Sequence, residues 1–128
     1  MVRVAINGFG RIGRRVFRLL LSHPTIEVVA INDLADTKTL THLLKYDSIH
    51  GTLKNSISCD DTHIIIDGHA IPVLNKTHPK NLNWVPYNVD IVVESTGKFK
   101  TKKELTHHVN NGATKVILSV PPLDDGLK

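Results

Sequence analysis

A chain of 128 residues, 41% hydrophobic and 22% charged, has the size and composition of one ordinary globular domain. No apolar run reaches the ~18 residues of a membrane span and no apolar leader follows Met1, while the lone Cys59 excludes an internal disulfide and fits a reducing cytoplasm. The net charge of +4 comes from scattered basic residues with no aromatic-interleaved stripe, which argues against nucleic acid as a main partner.

The chain opens on an apolar, β-rich run, Val2 to Asn7. Gly8-Phe9-Gly10-Arg11-Ile12-Gly13 follows, and then Ile12, Val16, Leu19 and Leu20 recur at helical spacing, with Arg14, Arg15 and Arg18 largely on the other face. Pro24 marks the helix exit, and Glu27 to Asn32 reads as a second strand. Asp36 or Thr37 is placed to cap a helix whose apolar stripe is Leu40, Leu43 and Leu44. Ser56 to Asp61 is polar. Ile64 to Ile66 and Ala70 to Leu74, joined through Asp67-Gly68, read as a β-hairpin. Asp90 to Glu94 is a continuous apolar strand of the kind buried on both faces of a parallel sheet. Thr101 to Asn110 reads as a helix ending at Gly112, and Lys115 to Ser119 as a last strand closed by Pro121-Pro122. The alternation predicts a doubly wound α/β domain with a mostly parallel sheet and a small antiparallel hairpin insertion.

A GxGxxG string alone is weak, but here its context is complete. It follows a strand, it opens a helix, and Asp33 stands about twenty residues beyond Gly13 at the end of the next strand. Gly8 suits a tight turn, Gly10 removes the Cβ from the path of a pyrophosphate, and Gly13 lets helix and strand pack closely. Free N–H groups and the positive end of the helix dipole would then hold the phosphates. The Asp33 carboxylate suits a ribose diol and opposes a 2′-phosphate, which favours NAD over NADP. Leu34 supplies no compensating cation. The side chain of Arg11, inside the turn, has either a phosphate or a surface ion pair open to it.

Val4-Ala5-Ile6-Asn7-Gly8-Phe9-Gly10-Arg11-Ile12-Gly13-Arg14 resembles the opening of phosphorylating glyceraldehyde-3-phosphate dehydrogenases. Ala30-Ile31-Asn32-Asp33, Leu43-Leu44-Lys45-Tyr46-Asp47-Ser48 with Gly51, Val92-Val93-Glu94-Ser95-Thr96-Gly97 and Val116-Ile117-Leu118-Ser119 resemble the same family in the same order. The resemblance implies a Rossmann-type NAD-binding domain over residues 1–128 and a homotetrameric parent enzyme. It places the pyrophosphate on the backbone around Arg11 and Ile12 and adenosine beside Asn32 and Asp33. Thr96, Gly97 and Phe99 would border the cofactor, and Ser119 would lie near the nicotinamide ribose. With Asn7, Gly8, Gly10 and Thr77, these are the expected cofactor-binding residues. Two departures stand out: Thr77-His78-Pro79 replaces an Arg-Asp-Pro common in the family, leaving a backbone contact at Thr77, and Val120 replaces a smaller residue.

The family's reaction also needs a Ser-Cys-Thr-Thr-Asn-Cys segment and a histidine base, and neither motif is present. Cys59, in Ser58-Cys59-Asp60-Asp61, reads as a bystander because nearby negative charge disfavours a thiolate. The chain therefore reads as the NAD-binding part of a longer enzyme, ending at Lys128 before the catalytic half. An erythrose-4-phosphate dehydrogenase of the same family and a non-catalytic NAD-binding module remain open as alternatives. The eight histidines include no HExxH pair and His107-His108 are adjacent, so solvated or locally hydrogen-bonded roles are expected rather than metal ligation. Lys98, Lys100, Lys102 and Lys103 read as a solvated helix start.

Overall fold

The computed structural model describes residues 1–47, 51–99 and 101–119. Ser48, Lys100, Val120, Pro121-Pro122 and Lys128, all considered above, lie outside the described residues. Strand β1 (Val2–Asn7) leads through the glycine turn into helix α1 (Arg11–Leu21) and strand β2 (Ile26–Asn32). Helix α2 (Thr37–Lys45) is followed by the short antiparallel pair β3 (Tyr46–Asp47) and β4 (Gly51–Thr52). Strands β5 (Ile57–Cys59), β6 (His63–Ile66) and β7 (His69–Leu74) form an antiparallel meander. Two 3₁₀ turns, Pro79–Asn81 and Val85–Tyr87, lead to β8 (Ile91–Glu94), α3 (Lys102–Asn110) and β9 (Lys115–Leu118).

These strands give a seven-stranded sheet in the order β5-β6-β7-β2-β1-β8-β9. Pairing is parallel from β7 through β9. Asp67 and Gly68 both adopt positive φ, the geometry a two-residue hairpin turn demands. The hairpin is more closely integrated than an insertion, because its second arm, β7, pairs with β2 through Ile31–Val73 and Asn32–Leu74. The polar stretch around residues 56–61 contributes β5, which the sequence pattern hides. This edge strand turns Ile57 onto the core and Ser58 outward, and three residues are too few for alternation to stand out.

Apolar residues of β1, β2 and β8 point alternately to two cores. Val4, Ile6, Ile31 and Val93 meet Phe17 of α1 and Leu40 and Leu44 of α2. Ala5, Ala30 and Val92 meet Leu82, Trp84 and Ala113 on the other face. This two-sided burial is why these strands read as unbroken apolar runs.

The packing stripe of α1 differs from the expected one. Gly13 and Phe17 are buried, with Val16, Leu20 and Leu21 beside them, whereas Ile12 and Leu19 are exposed. A Cβ on Gly13 would overlap the Gly8 carbonyl, so the Gly13 face of α1 lies against the turn after β1, and Ile12 and Leu19 fall off the core face. Two arginines of the helix are tucked in: Arg14 donates to the Phe9 carbonyl and Arg18 to the Leu44 carbonyl at the end of α2. In α2 the cap is Asp36, which accepts from the Thr39 N–H at 2.7 Å. The Thr39 hydroxyl and N–H hold the Asp36 carboxyl below the usual carboxylate range. That cap therefore works at neutral pH and is lost as pH falls through the lowered pKa.

Candidate dinucleotide site

Strand order reverses at β1, with β2 on one side and β8 on the other, so a crevice opens beyond the carboxyl ends of these strands. A cleft of about 230 Å³ lies there, lined by Asn7, Gly8, Gly10, Asn32, Asp33, Leu34, Lys76, Thr77, Ser95, Thr96, Lys98 and Phe99. That is below the roughly 300–1,000 Å³ of pockets enclosing a whole small-molecule ligand. The size suits an open groove holding one half of a dinucleotide. A larger groove of about 580 Å³ lies at the amino ends of β1 and β2, floored by Phe17, Leu20 and Ile71. Ligands of doubly wound sheets bind at the other, carboxyl end.

The glycine turn has the close contacts its spacing implies. Gly8 sits at φ +95°, and a Cβ there would lie 2.7 Å from the Thr96 nitrogen. A Cβ on Gly13 would overlap the Gly8 carbonyl oxygen. A Cβ on Gly10 would meet nothing within 4 Å, so this residue faces open space. Gly10 is also the cap position of α1, and it offers no side-chain hydrogen bond, nor does an acidic residue occupy the first turn. The first N–H groups of α1, including those of Arg11 and Ile12, have no carbonyl one turn earlier in the helix to meet. With the positive end of the helix dipole, they make this the end of α1 where negative charge is favoured.

Asp33 is pinned beside this turn. One carboxylate oxygen accepts from the Phe9 N–H at 2.7 Å and the other from the Ala35 N–H at 2.9 Å. Each oxygen keeps a lone pair for a ribose hydroxyl.

Asn7 and Asn32 line the cleft, but their amides are committed inward. Asn32 donates to the Asn7 side-chain oxygen at 2.7 Å and to the Lys76 carbonyl at 3.0 Å, and accepts from the Lys76 N–H at 2.9 Å. Asn7 in turn donates to Glu94 at 2.7 Å. Asn32 thereby ties β2 to the segment that carries Thr77. Thr77 is exposed on the cleft wall, and the ring of His78 packs edge-on against Phe99, with centroids 5.1 Å apart.

Arg11, Ile12, Gly97 and Ser119 do not line this cleft. Arg11 and Ile12 project from the first turn of α1, and Gly97 is exposed at φ +73°. Ser119, just past β9, gives its hydroxyl to the Glu94 carbonyl at 3.0 Å.

Two lysines on the cleft wall escaped the sequence reading. The sequence pattern marks nothing at Lys76 and reads Lys98 as part of a solvated run, yet both line the cleft. Their adjacency to Thr77 and Gly97 is the one signal that could have found them. Glu94 was read only as a strand end. Cys59 lies on the edge strand β5 and does not line the cleft. Among the described residues no group of three or more His, Cys, Asp or Glu side chains is placed to hold a metal ion.

Residues 2–102 match the family model described as "Glyceraldehyde 3-phosphate dehydrogenase, NAD binding domain". The chain belongs to this family. NAD is accordingly the cofactor of the domain, and the bare end of α1 with Asp33 beside it fits that group. Glyceraldehyde-3-phosphate dehydrogenase 1 of Bacillus cereus is 48% identical over 127 residues, covering 99% of this chain. The Geobacillus stearothermophilus dehydrogenase is 50% identical over 126 residues, 98% of the chain, and the Thermotoga maritima one is 50% identical over 123 residues, 94% of it. The chain spans 38% of the length of the first two relatives and 37% of the third.

Proposed function

We propose that this chain is the NAD-binding part of a glycolytic, phosphorylating glyceraldehyde-3-phosphate dehydrogenase. The observation that carries the reading is the uncapped amino end of α1, opening on the cleft with the Asp33 carboxylate fixed at its side. The N–H groups of Arg11 and Ile12 hold the pyrophosphate, with Gly10 leaving the approach clear. Asp33 accepts from the adenosine ribose. Thr77 and Phe99 border the base, and Lys76 and Lys98 add positive charge to the cleft wall, which favours an anionic ligand. Gly97 and Ser119 border the cofactor farther along the strand ends. The bound cofactor supplies the two-electron oxidant for the aldehyde. The residues of this chain bind and orient it. A cytoplasmic setting is supported by the single unpaired Cys59, and a homotetrameric parent by the family resemblance.

Calorimetric titration of the chain with NAD and with NADP tests the reading. NAD should bind saturably and at least tenfold more tightly than NADP, because a 2′-phosphate would face the Asp33 carboxylate. Equal or preferred binding of NADP would refute the role given to Asp33, and binding of neither would refute the site.

A further inference from the structure

Behind the cleft runs a chain of buried polar groups. Trp84 and His108 are wholly buried, Glu94 likewise, and Asn7 and Asn32 nearly so. The Trp84 indole N–H donates to His108 Nδ1 at 3.1 Å, and His108 Nε2 stands 2.8 Å from Glu94 Oε1. Glu94 Oε1 also accepts from Asn7, and Oε2 accepts from the Thr96 N–H at 3.1 Å and the Thr96 hydroxyl at 2.7 Å.

We propose that His108, on α3 and outside the cleft, is the positioning residue of the cofactor site, acting as its Nε2–H tautomer through Glu94 on Asn7 and Thr96. The proposal rests on the reading of the cleft as the NAD site.

The tautomer follows from the partners. An indole nitrogen can only donate, so Nδ1 must present its lone pair. Nε2 then carries the hydrogen and donates to the carboxylate. The opposite tautomer would set two N–H groups against each other at Nδ1 and two lone pairs against each other at Nε2. Trp84 thus does more than fill the core, since it selects which nitrogen of His108 faces Glu94.

Glu94 shows why this matters. A carboxylate excluded from water is tolerable only when its lone pairs are met. Here each oxygen has two donors, and one of the four is His108. Its other donors are groups of the cleft wall, Asn7 and Thr96. Thr96 in turn lies against Gly8, whose missing Cβ leaves just the space the Thr96 backbone fills. A shift of the carboxylate therefore passes directly to the first residue of the glycine turn. Without the His108 hydrogen bond, Oε1 keeps only Asn7, and a buried carboxylate with one donor fewer holds Asn7 and Thr96 less firmly in place.

Nitrogen-15 NMR of the imidazoles in the unaltered chain gives the first test. His108 should show a protonated Nε2 and an unprotonated Nδ1, and the reverse pattern or protonation of both would overturn the proposal. The second test compares NAD affinities. His108→Gln can accept from Trp84 and donate to Glu94, and should stay within threefold of the unaltered chain. His108→Leu fills similar space without either bond and should bind at least tenfold more weakly. If His108→Leu binds normally, or if His108→Gln is equally weak, the proposal fails. Trp84→Phe removes the indole donor together with part of a buried ring, and decides the matter should His108→Leu not fold. It should mix the two His108 tautomers and weaken NAD at least threefold, and unchanged affinity would overturn the proposal. An unaltered chain that binds neither dinucleotide would sink the NAD reading alone, while the tautomer would still be read from the NMR.

Discussion

Helices α1 and α3 start in opposite ways. At α3 Thr101 accepts from the Glu104 N–H while the Glu104 side chain accepts from the Thr101 N–H, so two backbone donors are met reciprocally. At α1 the cap residue is Gly10, with no side-chain cap and no acid in the first turn. The difference is one of purpose. The amino end of α3 has only to be stable, so its donors are used up internally. That of α1 opens on the cleft, and internal capping would consume the donors that the proposed function assigns to the pyrophosphate. A helix end that breaks the local rule inside an otherwise regular domain is where function should be sought.

Gly13→Ala breaks the comparison most severely. Helix propensity alone predicts a gain of about 1 kcal/mol from replacing glycine in a helix. The structure predicts the opposite sign, since the new Cβ would overlap the Gly8 carbonyl and press on Ser95 Oγ. Separating α1 from β1 should cost about 3 kcal/mol or more, read from urea unfolding, with NAD binding lost. A stabilised variant would contradict the close approach of helix and turn.

Gly10→Asp separates stability from binding. The new Cβ enters open space, and the backbone at φ −77° suits any residue. Aspartate caps slightly better than glycine and its charge favours the dipole, so stability should rise by up to about 1 kcal/mol. NAD affinity should fall at least tenfold, because the carboxylate takes the exposed donors and repels the pyrophosphate. Calorimetry and urea unfolding on one preparation check both signs, and unchanged affinity would remove the anion from this helix end.

The same contrast explains what the sequence disclosed. The turn was legible because Gly8, Gly10 and Gly13 each answer a backbone demand, and such demands leave a fixed spacing. The parallel strands were legible because β1, β2 and β8 are buried on both faces. The inward commitment of Asn7 and Asn32 was not, because a polar residue at a strand end reads alike whether it faces a ligand or a neighbouring strand. The Glu94–His108–Trp84 chain was hidden for a different reason. Its members are separated by up to 24 positions, and only the docking of α3 brings them together. His108 belongs to a doublet, and composition cannot tell that its neighbour His107 packs on His78 while His108 enters the core.

Thr101→Ala is the mildest change and the sharpest control. It removes the hydroxyl that accepts from the Glu104 N–H and also donates to the Glu104 carboxylate at 3.0 Å. Loss of such a cap costs about 1 kcal/mol in urea unfolding. NAD affinity should stay within twofold, because Thr101 neither lines the cleft nor contacts Glu94. With Gly10→Asp the pair then forms a crossed result, in which capping the open helix end costs binding and uncapping the closed one costs only stability. A Thr101→Ala chain that lost NAD as well would show that the two helix ends are not independent. The strain at α3 would then reach the cleft, either through His108 and Glu94 or through Phe99, two residues before Thr101 on the cleft wall.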